Sequence, residues 1–320
     1  EKKDPKKIPG LIFRNKNSLI NNGIAPIIDN IDNLPFPERE KFWGIDKSEK
    51  KNVDVSYICS IRGCPYKCTY CASPFHWDRK TTRLRSPESV IKEMKHIKKN
   101  YWEETKYDFS ASANTTSKES LKIEDNTIVY FVDDVFTVHK KRVKKILRMM
   151  IDEKLEMKWK CEARADHLDD EICELMKKAG CQRVKIGFES GSDRILKQVK
   201  KLETRDEMMK GAKMLRRAGV PFTGYFMVGF PGETDDDVKE TIDFAKKTQA
   251  DFYSLSVLSP YYGTEIYDQL MSNGHALDKQ PWEYFFHQSP KLMVNNKISQ
   301  NILKEYLSLN DRNKKGRGYI

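Results

Sequence analysis

Short apolar runs and longer amphipathic stretches follow one another six times along the 320-residue chain, the pattern of strands alternating with helices. The first run, Tyr57-Ile58-Cys59, leads into a tight loop. Ser86-Pro87 then starts a helix, with Pro at the first helical position and Val90, Ile91, Met94 and Ile97 forming an apolar stripe. Residues 127–132 read as a buried strand ending at Asp133-Asp134, before a Lys-rich helix with Val143, Ile146, Leu147, Met150 and Ile151 inward. Strand 157–163 leads to Arg164 and a helix that begins near Asp169 and stops at Gly180. Strand 183–188 ends at Glu189-Ser190-Gly191, and the second of two following helices carries the capping box Thr204-x-x-Glu207 and a stop at Gly219. Strand 221–228 runs into Gly229-Phe230-Pro231-Gly232-Glu233-Thr234, where Thr234 caps a helix, and strand 252–258 precedes a short one.

Six such units predict an α/β fold with a parallel sheet, right-handed crossovers, helices outside and a site at the C-terminal ends of the strands. Six is two short of a closed eight-fold barrel, so the expected architecture is an open (β/α)6 partial TIM-type barrel that a large substrate enters from the side. Residues 1–50, rich in Pro, Asn and Lys, read as an extended linker lying over a domain, 51–272 as the core, and 273–320 as a helical C-terminal extension over the barrel bottom or the substrate opening. The polar stretch 101–126 carries no period and reads as an inserted surface loop.

Composition narrows the function. A 38% hydrophobic fraction is enough for a substantial core, and no apolar run approaches the roughly 20 residues of a membrane span. The 58 basic and 47 acidic residues give a net charge of +11, which suits an acidic partner, but the charge is dispersed over helix faces and no aromatic-and-basic repeat of the RNA-binding kind stands out. Seven cysteines, four of them scattered (Cys59, Cys161, Cys173, Cys181), do not make a secreted disulfide framework, and a reducing cytoplasm is the expected setting.

The other three, Cys64, Cys68 and Cys71, stand in the loop after the first strand at C-x3-C-x2-C spacing. A structural zinc site closes its tetrahedron with four ligands; three thiolates suit an iron-sulfur cubane better, because each holds one iron and the fourth iron is left open. A zinc knuckle or three unrelated core cysteines are the plain alternatives.

The spacing, with Tyr70 just before the last cysteine, resembles the signature of the radical S-adenosylmethionine (SAM) superfamily. The resemblance covers roughly residues 50–270 and implies that Cys64, Cys68 and Cys71 bind a [4Fe-4S] cluster whose open iron SAM chelates. One electron then cleaves SAM to methionine and a 5′-deoxyadenosyl radical for C–H activation. It also implies an external electron donor such as flavodoxin or ferredoxin, and a small-molecule or modified-peptide substrate. Within it, Asp133 is expected at the SAM amino group, with a helix N-cap as its ordinary alternative, and Arg164 at the methionyl carboxylate, with a surface salt bridge as the alternative. Glu189 and Ser190 are expected at the ribose or amino-acid part of SAM, Gly229 near the adenine, and Tyr70 along the adenine through its backbone.

The segments Ile8-Pro9-Gly10-Leu11-Ile12-Phe13-Arg14 and Leu34-Pro35-Phe36-Pro37-Glu38-Arg39 resemble the connector that precedes the core in cobalamin-dependent members. D-x-H-x-x-G is absent from residues 1–320, so any cobalamin domain is expected upstream of Glu1. The function expected is cobalamin-dependent methyl transfer or ring formation. The alternatives are a tRNA methylthiotransferase, which the helical tail disfavours, and a non-catalytic iron-sulfur or zinc scaffold that binds RNA.

Overall fold

The computed structural model describes residues 4–39, 55–76, 82–102, 128–286 and 290–310. The chain divides into two compact units between Pro35 and Phe36. In the first, β1 (Ile12–Asn15) and β2 (Ser18–Asn21) form an antiparallel hairpin, turned at Lys16 with φ 51°. The Asn22 side chain donates to the carbonyls of Pro5 (2.7 Å) and Ile8 (2.8 Å). Within the stretch expected to be an extended linker, residues 5–22 therefore fold back on themselves, because Asn22 supplies bonds that close the turn.

The second unit is a (β/α)6 partial TIM-type barrel. Its six parallel strands are β3 (Val55–Ile58), β6 (Ile128–Phe131), β7 (Trp159–Ala163), β8 (Cys181–Glu189), β9 (Phe222–Val228) and β10 (Phe252–Val257), and they lie side by side in the order in which the chain makes them. The helices α2 (Pro87–Ile97), α3 (Lys140–Asp152), α4 (Asp170–Lys178), α6 (Arg205–Ala218) and α7 (Asp235–Thr248) connect them. The start and stop signals act as their chemistry dictates. Ser86 caps α2, Thr204 and Thr234 close capping boxes with Glu207 and Asp237, and Gly219 ends α6 in the left-handed conformation.

Each strand shows its apolar residues to the helices. Val129 and Phe131, Trp159 and Cys161, Val184, Ile186 and Phe188, and Phe222 and Phe226 are buried in one core with the inward stripes of α2, α3 and α7. The alternate positions, among them Tyr130, Lys160, Glu162, Arg183, Lys185 and Tyr225, face the concave side and stay half-exposed. The sheet thus has one packed face and one polar face, where residues 127–132 alone had suggested a strand buried on both.

Two features differ from expectation. The cysteine loop is bracketed by a two-residue antiparallel pair, β4 (Ile61–Arg62) with β5 (Arg83–Leu84), too short to leave a periodic trace. The C-terminal extension joins the outer helical layer: in α9 (Gln300–Ser308), Ile302, Leu303 and Tyr306 enter the main core. The Tyr306 hydroxyl donates to the Phe226 carbonyl (2.8 Å) and accepts from the Ser256 amide (3.2 Å), riveting β9 to β10. The loop expected at 101–126 falls almost wholly outside the described residues. No helix among the described residues is long and apolar enough to cross a membrane.

Candidate active site at the strand ends

Ile58 ends β3, and the chain then forms the loop that carries the three cysteines. Its backbone is anchored on both sides: the Thr69 amide donates to the Val199 carbonyl (3.0 Å), and the Ile266 amide donates to the Thr69 carbonyl (2.9 Å). Tyr70 meets the fully buried Phe230 edge-on at 5.7 Å, seating the loop on a second apolar cluster that includes Ile195, Val199, Leu258 and Ile266.

The Tyr66 amide, the Tyr70 hydroxyl and the Ser73 amide pull the thiol pKa values of Cys64, Cys68 and Cys71 down. Burial nevertheless raises all three thiol pKa values, Cys71 to about 12. Lys201 and Arg164 draw the Cys68 value back down. Such thiols lose their protons when a cation takes them, and the donors then stabilise the thiolates. The Cys71 sulfur feels those of Cys68 and Cys64 electrostatically. A cavity of about 800 Å³ opens beside them, lined also by Phe75, His139, Thr264 and Glu265.

Asp133 follows β6 and is 1% exposed. One carboxylate oxygen accepts from the amides of Ser60 (2.6 Å) and Ile61 (2.9 Å), and the other accepts from the Ser60 hydroxyl. Burial raises its pKa to about 6 against the pull of these donors. Asp133 therefore ties the strand end to the start of the cysteine loop; it is not a helix cap, since His139 precedes α3. The carboxylate expected at the SAM amino group is thus engaged by Ser60 and Ile61.

Arg164, 3% exposed, is equally committed. It donates to Asp166 (3.1 and 3.0 Å) and to the carbonyls of Lys201 (2.9 Å) and Leu202 (3.2 Å), lies 3.4 Å from Glu203, and stacks 3.6 Å above the Tyr66 ring centroid. Burial would lower its pKa, but Asp166 and Glu203 outweigh that and raise it. The surface salt bridge weighed for Arg164 is thus a buried one that braces the cysteine loop through Tyr66. Tyr66 in turn bonds His167, whose pKa burial lowers to about 4, so that imidazole is neutral.

Glu189 ends β8 with φ 65°, and the Ser190 amide donates to the Phe188 carbonyl (2.8 Å) around it. A non-glycine residue there is strained and is held only where its surroundings demand it. Here the carboxylate folds back over Gly187, where a Cβ would sit 2.5 Å from Glu189 Oε1, and lies 3.7 Å from the Lys201 ammonium. Of the charged groups, Lys201 and then Glu189 act most strongly on the Cys68 thiol. Ser190, fully buried, instead holds the turn: its hydroxyl meets Thr241 (3.1 Å) and accepts from the Ser192 amide (3.1 Å).

Gly229, φ 96°, opens the turn after β9. Its amide donates to Glu233 Oε2 (2.5 Å), as does that of Phe230 (3.1 Å), and Asn295 clamps the Phe230 and Glu233 carbonyls from outside (2.7 and 2.8 Å). Sequence reading missed Lys201, Glu203, Glu233 and Asn295 as site residues. Lys201 and Glu203 sit in a helix link with no motif, whereas Glu233 stood in the glycine turn already singled out.

The Radical SAM superfamily pattern matches residues 58–245. The chain is 29% identical over 95% of its length to an uncharacterised methyltransferase of Pyrococcus horikoshii, covering 61% of that protein. It is 25% identical over 80% of its length to the bacteriochlorophyllide d C-12(1)-methyltransferase of Chlorobaculum tepidum, covering 51% of it. The chain thus spans between about half and three-fifths of these curated relatives. Among solved structures it resembles the radical SAM methyltransferase TsrM of Kitasatospora setae, determined with cobalamin and a [4Fe-4S] cluster bound, at TM-score 0.60 and 17% identity over 84% of this chain and 50% of that one.

Proposed function

The chain belongs to the radical SAM superfamily, and from that premise we propose that it is the catalytic core of an enzyme that cleaves SAM reductively and transfers a methyl group, or closes a ring, at an unactivated carbon. One observation carries this reading: three desolvated thiols at C-x3-C-x2-C spacing line a single cavity at the open end of a six-stranded half-barrel. Cys64, Cys68 and Cys71 would hold the cluster, which when bound supplies the electron that breaks the sulfonium C–S bond.

The chain's own residues bind, orient and exclude water. Glu189 offers the carboxylate for a ribose or ammonium group of SAM, and Gly229 offers a surface without a side chain to the adenine. Tyr70 steadies Cys68 and seats the cysteine loop on Phe230. Asp133, Arg164 and Ser190 act as positioning residues, holding the cysteine loop and the strand ends at fixed spacing. A positioned radical abstracts hydrogen selectively because only one C–H bond is in reach. Cobalamin as the methyl carrier is supported by the connector-like N-terminal segments and by the cobalamin bound in the structurally similar TsrM.

Anaerobic reconstitution with iron and sulfide, reduction and addition of SAM tests the reading. 5′-Deoxyadenosine is expected from the wild type and not from Cys64→Ala; its absence from the wild type, or equal yield from both, contradicts it.

A further inference from the structure

The concave face of the sheet carries charge that neither the fold nor the cysteine site uses. Tyr130 on β6 pairs in register with Lys160 on β7, which pairs with Arg183 on β8, and one step along Glu162 pairs with Lys185. Three cations on two adjacent strands therefore face a single carboxylate. That carboxylate is already engaged: the Tyr130 hydroxyl donates to Glu162 (2.5 Å) and accepts from the Lys185 ammonium (2.8 Å). Lys160 lies 4.9 Å from the centre of the Tyr130 ring, and Arg183 lies 3.9 Å from that of Phe252. Among the described residues neither makes an ion pair, and Asp251, the carboxylate that Arg183 feels, accepts from the Phe222 amide (2.9 Å).

Like charges side by side on neighbouring strands destabilise a sheet, and half-buried cations without counter-ions add a desolvation cost. Burial, then Lys185 and Arg183, push the Lys160 pKa down to about 8. Burial likewise lowers those of Lys185 and Arg183. An oxyanion placed among them would relieve all three at once, with the guanidinium offering a fork. Aromatic rings from Tyr130, Tyr225 and Phe252 flank the place and suit a flat or apolar body. From Lys185 to Glu189 the same strand rises about 13 Å.

We infer that this concave face seats an anionic substrate of extended shape, its carboxylate or phosphoryl oxyanion held by Lys160, Arg183 and Lys185 while its far end reaches the cysteine cavity. Calling the ligand a substrate rests on the radical SAM reading; its binding does not.

The test is calorimetric titration of the full chain, with and without reconstituted cluster, using citrate for the carboxylate source and pyrophosphate for the phosphoryl source. One of the two should bind, and the variant Lys160→Met/Arg183→Met/Lys185→Met should weaken it about tenfold or more. A charge-matched variant neutralising Lys145, Arg217 and Lys239, exposed on the outer helices, should bind within about twofold of wild type. Lys160→Gln alone, which leaves the other charges in place, should weaken binding part of the way and covers the case in which the triple variant does not fold. Binding of neither anion at about 10 mM, or equal binding by wild type and both concave-face variants, overturns the inference. Anion binding that depends on these residues in a protein that yields no 5′-deoxyadenosine would sink the enzymatic reading and leave this one standing.

Discussion

Asp133 and Ser60 are 73 residues apart in the chain, and the carboxylate of the first accepts both the amide (2.6 Å) and the hydroxyl of the second. The end of β6 thereby fixes the residue from which the cysteine loop departs. Asn at position 133 could accept both backbone amides through its one oxygen and donate to the Ser60 hydroxyl through its amide. Asp133→Asn is therefore expected to keep the fold, the iron content and the affinity for SAM. Asp133→Ala would strand two buried amides, lose about 3 kcal/mol and lower the iron content. Urea unfolding and iron assay check both; a loss of SAM affinity in Asp133→Asn with stability intact would restore the ammonium contact.

Glu233 gives a pH signature. Burial raises its pKa from 4.5 to about 8, against the amides of Gly229 and Phe230, and its second oxygen is buried without a hydrogen-bond partner among the described residues. An acid whose pKa is higher folded than unfolded favours the native state while protonated. Its contribution is full below pH 4.5 and is lost as pH rises through about 8. Glu233→Gln keeps both backbone bonds and cannot ionise. Its stability relative to wild type should rise between pH 5 and 9, by a few kcal/mol on the order of magnitude. Parallel stability curves for the two proteins across that range would show that Glu233 does not titrate there.

Arg164→Met should be among the most damaging single changes. It leaves Glu203, whose side chain is 0% exposed, without one of its two cations, and frees the carbonyls of Lys201 and Leu202. Removing one partner of a buried charge network costs about 3–5 kcal/mol. Urea denaturation measures the loss, and a value under about 1 kcal/mol would show the network to be as weak as a surface pair.

The sheet order, the helix caps and the cysteine loop were legible because each is local: alternation of apolar runs, Thr204-x-x-Glu207, Gly219 and C-x3-C-x2-C need no knowledge of distant chain. The roles of Asp133 and Arg164 were not legible. A carboxylate or guanidinium at a strand end can face a ligand or the backbone, and only the fold brings Ser60 to one and Leu202 to the other. The polar concave face was hidden for a related reason. Lys160, Arg183 and Lys185 read singly as ordinary polar positions, and register alone shows that they stand on neighbouring strands of one face.

The central claim is that the three thiolates leave one metal position open for SAM. Electron paramagnetic resonance of the reconstituted, singly reduced protein tests it most directly, with iron counted in the same sample. The account predicts about four irons per chain and a spectrum that changes when SAM is added, both lost in Cys71→Ala. One tetrahedral zinc per chain, or a reduced cluster whose spectrum is indifferent to SAM, would contradict it.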